Sequence, residues 1–203
     1  MFDLPKSTEI RKPIHKKILY ERFPTELSGD KKFRFDDDIS RIIITNEISV
    51  NSVNIRATEE ISSIFVIQIE LKTKEYNDRN IVLVSRLFGQ KLMIVLHYED
   101  EYQLAIYETQ LLKSEWKQEE DIKLRIEGLD LGTVWNNLVT AVSGISAEEG
   151  NTLSEQIGIE AEKERLRKKI AELEGKARKE IQSKKKFEMY QQIQEYKKNL
   201  EDM

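Results

Sequence analysis

The run ISSIFVIQIELKTK at residues 61–74 constrains the fold more than any other stretch of the chain. Between Ile64 and Leu71 the only polar residues are Gln68 and Glu70, and both fall on one face of an extended backbone. Side chains alternate across a strand, so this pattern predicts a strand packed hard on one side and partly covered on the other. It is expected to be a central strand of a single core.

Neighbouring stretches supply its partners. Residues 39–48, with Ile42, Ile43 and Ile44, predict a buried strand, and the small polar run 49–55 is read as continuing into a further one. Residues 91–97 and 102–108 predict a hairpin across a polar turn at 99–101. Residues 122–127 alternate Ile122, Leu124 and Ile126 with charges, the pattern of a half-exposed strand. Helical spacing of Ile14, Ile18, Leu19 and Phe23 predicts an amphipathic helix over 14–23, after an irregular lead-in at 4–13 and ended by Pro24. The segment KKFRFDDD at 31–38 is open between helix and turn. Asn77 and Asp78 are capping residues for a helix over 79–88, closed by Gly89. A turn at 128–130 leads into a helix over 131–142, in which Trp135 shares a face with Leu131, Leu138 and Val142 and is read as a core residue. Trp116, in the connection 111–118, is read as a core or rim anchor. The expected architecture is α+β, a mixed sheet flanked by helices over residues 1–150.

Residues 151–203 have a different periodicity. Leu166, Ile170, Leu173 and Ala177 recur at helical spacing, and so do Met189, Ile193, Tyr196, Leu200 and Met203. Extending the first register places Glu180, Lys184 and Gln191 in the seam, so the two registers are out of phase. A C-terminal helical hairpin with a turn near 182–186, or one long coiled-coil helix with a stutter, satisfies both; the hairpin is favoured although no glycine or proline marks its turn.

Charge is distributed unevenly. The net charge is −4, but residues 163–198 hold thirteen Lys or Arg against six Asp or Glu, and residues 24–162 carry about −12. A basic tail on an acidic body points to an anionic partner surface, or to the acidic body itself. Arg165, Arg167, Lys168, Lys169, Lys176, Arg178, Lys179, Lys184, Lys185 and Lys186 are the candidate nucleic-acid contacts, followed by Tyr190 and Tyr196. Such contacts bind phosphates without sequence preference, so DNA is a candidate partner. A hairpin whose polar faces are merely lysine-rich, balanced by Glu164, Glu172, Glu174 and Glu180, fits the same residues.

Cysteine is missing from the chain, which rules out disulfides, thiolate metal sites and Cys nucleophiles. The N-terminal stretch lacks an apolar run of signal-peptide length, and no segment approaches the roughly 18 apolar residues of a membrane span. The expectation is a cytoplasmic protein without membrane association. The glycines form neither G-x-G-x-x-G nor a P-loop, so no nucleotide cofactor is expected.

Catalytic candidates are few. Glu70 and Lys72 form a Glu-x-Lys pair at the end of the central strand, with Asp36, Asp37 and Asp38 upstream. In a metal-dependent restriction-type nuclease such carboxylates hold Mg²⁺ and the lysine supports the attacking water. The same residues also fit an ordinary strand end and a solvated turn or helix cap. His15 and His97 come from distant segments, and neither has a carboxylate or histidine at metal-ligand spacing. His97, beside Tyr98, is read as a rim histidine. Ser62, His97 and Asp100 can be written as a triad, but no nucleophile elbow supports it.

Five stretches, MFDLPKSTEI, DDDISRIIITNEIS with SVNI, EISSIFVIQIELK, EGLDLGTVWNNLV and KKKFEMYQQIQEYKKNL, resemble a bacterial family of small proteins with a domain of unknown function, over nearly the whole chain. The resemblance implies a gene neighbourhood of DNA methyltransferases and helicases in restriction or phage-defence islands. It carries no site residues. Together with the basic tail, it sets the expectation of a non-catalytic accessory subunit that docks a helicase or methyltransferase and touches DNA. A metal-dependent nuclease is the alternative.

Overall fold

Strand β3 (Ser63–Leu71) lies between β2 (Ile39–Ser49), which runs antiparallel to it, and β4 (Lys91–Tyr98), which runs parallel. It is the central strand that its apolar run predicts, and Ile64, Val66, Ile67 and Ile69 are fully buried. The structure is a computed structural model that describes residues 2–148 and 150–203. Met1, which begins the first stretch quoted above, and Glu149, in the segment 144–150, lie outside the described residues. These residues form a mixed seven-stranded sheet. Strand β1 (Glu9–Ile14) extends it beyond β2. On the other side β5 (Glu101–Tyr107) pairs with β4, and β6 (Leu111–Lys113) and β7 (Lys117–Gln118) both pair with β5.

Alternation along the strands gives the sheet two unlike faces. One presents Ile42, Ile44, Ile67, Ile69, Leu71, Leu92, Ile94, Leu96 and Ala105 to the main apolar cluster. Helices α1 (Lys16–Arg22), α2 (Asp30–Asp38) and, after the one-turn α3 (Val50–Val53), α4 (Asp78–Ser85) cover it with Leu19, Phe35, Ile81 and Val84. Each such side chain contributes about 1.5–3 kcal/mol by leaving water. Helix α4 is also the crossover that lets β3 and β4 run parallel. The opposite face carries Ile64 and Val66 at one end and Gln68 and Glu70 at the other. Helix α5 (Leu131–Ser143) packs against β3, β5 and β6 on this side, burying Val134, Trp135, Leu138 and Val142. Trp135 is therefore the core residue that its spacing predicts, and its indole N–H donates to Glu108.

Four expectations are corrected. The lead-in at 4–13 contains β1, so the first helix starts at Lys16 and Ile14 belongs to the sheet. Residues 50–53 are a helical turn because Ser49 and Ser52 cap each other's backbone, and Asn54 then leaves it in the left-handed region. Residues 122–127 lie in no ladder. Their alternation comes from Ile122 and Leu124 being buried while the Leu124 N–H donates to the Phe2 carbonyl. Helix α4 ends at Ser85, short of Gly89, which turns the chain with φ +60° ahead of β4.

The chain divides into two compact units, Met1–Gly144 and Ile145–Met203. The second is a helical hairpin, α6 (Leu153–Lys179) and α7 (Ser183–Glu201). Thr152 and Glu155 cap the start of α6 reciprocally. Leu166, Ile170 and Ala177 of α6 and Ile193 of α7 are buried, so both out-of-phase seams are used once the chain folds back. Lys197 reaches Glu174 across the hairpin at 2.9 Å, and Lys169 lies over the Tyr196 ring at 5.5 Å. The break falls at residues 180–182, where Glu180 turns extended and its carboxylate accepts from the Gln182 N–H.

Candidate functional site

One row of side chains crosses the sheet on the face that carries α5. Arg41 of β2 stands opposite Glu70 of β3, Glu70 opposite His97 of β4, His97 opposite Tyr102 of β5, and Tyr102 opposite Lys117 of β7. Glu70 holds the row together. One carboxylate oxygen is 2.7 Å from His97 Nδ1; the other accepts from Gln68 Nε2 at 2.5 Å and lies 3.8 Å from the Arg41 guanidinium. Hydrogen bonding to a carboxylate assigns the proton of a neutral imidazole to Nδ1 and leaves the Nε2 lone pair outward. The Tyr102 ring stacks on His97 with centroids 4.3 Å apart, and Phe2 meets Tyr102 edge-on. Burial, with the negative charges of Glu119, Glu70 and Asp100, raises the Tyr102 hydroxyl pKa above its ordinary value.

Two cavities flank the row. One, of about 1120 Å³, is walled by His97, Tyr102, Phe2 and the carboxylates of Glu99, Asp100 and Glu119. The other, of about 650 Å³, is walled by Arg41, Gln68, Arg11 and Asn46. Leu4 and Lys6 line both. Glu70 thus bonds to a wall residue of each, His97 on one side and Gln68 on the other. His97 thus has a carboxylate partner from the neighbouring strand, which spacing along the chain cannot show.

The remaining nuclease candidates have partner sets of their own. Asp36 accepts from Tyr20 and Lys16. Burial alone would raise its pKa, but those hydrogen bonds and the charges of Lys16 and Lys32 outweigh it and hold the carboxyl below its ordinary range. Asp38 accepts from the Asn77 backbone N–H at 2.8 Å and the Asn80 amide at 2.7 Å, tying α2 to the start of α4. Asp37 is exposed. Lys72 lies just past β3, exposed, with its backbone N–H donating to the Asp38 carbonyl. None of these carboxylates shares a partner with Glu70. Among the described residues no group of three or more His, Asp or Glu side chains is placed to hold a metal ion. Ser62 bonds weakly to Gln90 at 3.5 Å, Asp100 lines the larger cavity, and His15 sits exposed at the start of α1.

The basic residues of the hairpin fall into two sets. On α6, Arg165 pairs with Glu162, Arg167 and Lys168 with Glu164, and Lys176 with Glu172, while Lys169 covers Tyr196. At the hairpin turn the pattern changes. Lys179, Lys184 and Lys186 have no ion pair among the described residues, and Arg178 and Lys185 act on Glu174 and Glu180 only through space. Three of these lysines occupy the first turn of α7, which has no acidic residue and no side-chain cap. Free N–H groups and the positive end of the helix dipole lie there as well. Ile181 at the turn is 94% exposed and Phe187 is 62% exposed.

Among the described residues no helix is long and apolar enough to cross a membrane. A family model described as Domain of unknown function (DUF4391) matches residues 2–200. No curated protein and no solved structure matches the chain.

Proposed function

The chain belongs to this family of unknown function, and from that premise we propose that it is an accessory subunit of a bacterial antiviral-defence or restriction system, docking a helicase or methyltransferase through its body and touching DNA through the turn of its hairpin. One observation carries the DNA contact. Among the described residues of the hairpin, positive charge without ion-pair partners is concentrated at the turn, on Arg178, Lys179, Lys184, Lys185 and Lys186, whereas Arg165, Arg167, Lys168 and Lys176 are already paired. Three lysines at the positive end of a helix repel it and each other, and an anion bound there relieves both. Phosphates of a nucleic-acid backbone supply that charge without requiring base readout. The defence setting and the identity of the protein partner rest on the resemblance.

Co-purification tests the docking. Tagged protein expressed with the neighbouring genes is expected to retain the helicase or the methyltransferase at physiological salt. Recovery of neither, with all three proteins present in the lysate, sinks the proposal. The metal-dependent nuclease has less support, because Asp36 and Asp38 are engaged away from Glu70. Plasmid cleavage with Mg²⁺ that disappears in Glu70→Ala would favour it instead.

A further inference from the structure

We propose that the open end of the sheet face binds a guanine nucleotide, with the phosphate in the smaller cavity and the base in the larger one. Location is the first reason. Glu70 and His97 lie level with each other near the carboxyl ends of the parallel strands β3 and β4, and the two cavities open on either side of them. The smaller cavity, about 650 Å³, is of the size that holds small organic ligands, ~300–1,000 Å³, and the larger one, about 1120 Å³, is somewhat roomier.

Charge is the second reason. The smaller cavity sets Lys6, Arg11 and Arg41 against Glu9; Arg11 pairs with Glu9 and Arg41 lies 3.8 Å from Glu70, which leaves Lys6 unpaired among the described residues and the lining cationic on balance, as suits a phosphate. The larger one sets Asp3, Glu99, Asp100, Glu119 and Glu120 against Lys6 and Lys123. A run of phosphates fits the first and is repelled by the second; a basic peptide does the reverse. A nucleotide suits both, because its base is uncharged and offers N–H donors. Guanine presents a ring N–H and an amino group side by side, the donor pair that a carboxylate accepts best. The aromatic wall of Tyr102, His97 and Phe2 gives the ring an apolar surface.

The divide between the cavities completes the layout. Glu70 orients His97 through Nδ1, and Nε2 has no protein partner among the described residues. A sugar lying between phosphate and base brings its hydroxyls to that nitrogen. The chain has no glycine-rich phosphate loop, so side chains rather than backbone N–H groups hold the phosphate here.

Isothermal titration of the full chain with GMP, AMP, guanosine and inorganic phosphate tests the assignment, with circular dichroism confirming that each variant is folded. GMP is expected to bind, and each of the other three to bind at least tenfold more weakly. Arg41→Gln, at an exposed position, should weaken GMP at least tenfold and leave guanosine unchanged. Combined Glu119→Gln and Glu120→Gln should weaken GMP and guanosine and leave phosphate unchanged. A 5′-phosphorylated dinucleotide beginning with guanine separates the sources: tighter binding than GMP identifies a strand end as the ligand, and weaker binding identifies the free nucleotide. No heat from GMP at millimolar concentration, equal binding of GMP and AMP, or GMP affinity unchanged in both variants would overturn the proposal.

Discussion

Glu70 and His97 face each other across the parallel pair β3 and β4, carboxylate oxygen to Nδ1 at 2.7 Å. The crossover through α4 lets the two strands run parallel, and in their register every pair is 27 positions apart, which sets Glu70 level with His97. It also fixes which nitrogen of His97 is free. With neutral imidazole, nitrogen NMR is expected to show the proton on Nδ1. In Glu70→Ala the Nε2-protonated form should gain population, because free imidazole prefers it and the acceptor at Nδ1 is gone. An unchanged tautomer in the variant would mean that Glu70 does not orient the ring.

Asp36 gives a pH signature. Its folded-state pKa lies below the ordinary 3.8 because Tyr20 and Lys16 hydrogen bonds outweigh burial. A group depressed in this way contributes stability above its unfolded pKa and loses the contribution as pH falls through the folded value. Asp36→Asn should therefore be less stable than the parent at pH 7, and the gap should close as the pH falls below about 4. Tyr20→Phe should cost about 1 kcal/mol at neutral pH, below the roughly 1.5–3 kcal/mol of a buried bond to a charged group because Asp36 is partly solvated. Urea denaturation across this pH range measures both, and a gap that widens on acidification would reverse the assignment.

Gly128 is constrained by its surroundings more than by propensity. At φ +149°, a Cβ there would meet the Thr133 side chain and the Val134 backbone nitrogen at 2.9 Å. Gly144, which caps α5 at φ +72°, has open space around it. Gly144→Ala should cost about 1 kcal/mol, the ordinary penalty for a left-handed alanine. Gly128→Ala should cost more, since the start of α5 must shift as well. Thermal unfolding of the two variants side by side checks the order.

Much of this fold is legible in the sequence, because apolar periodicity reports burial directly. The central strand, the hairpin of β4 and β5, helix α5 and the two seams of the tail all follow from residues such as Ile67, Leu96, Leu138 and Ile170. Burial without a ladder partner looks the same in sequence, which is why Ile122 and Leu124 imitate a strand. A two-serine cap overrides strand propensity at residues 50–53, where the side chains satisfy the backbone locally. The candidate site is less legible. Glu70 stands out as a lone carboxylate in an apolar run, but its bond to His97 depends on strand order and register. The pairing state of the basic residues is hidden as well: Lys176 and Lys184 look alike in sequence, and only the helix positions separate the paired one from the other.

The DNA contact at the hairpin turn has a direct test. Binding of the full chain to duplex DNA of unrelated sequences, followed from low to moderate salt, should show log affinity falling linearly with log salt concentration. For a variant carrying Lys184→Gln, Lys185→Gln and Lys186→Gln, the slope should become shallower by about 0.9 for each phosphate contact removed. Replacing Arg165, Arg167 and Lys168, which are already paired with glutamates, should change it far less. Equal slopes for the parent and the variant at residues 184–186, or no binding by the parent even at low salt, would contradict a hairpin turn built to meet DNA.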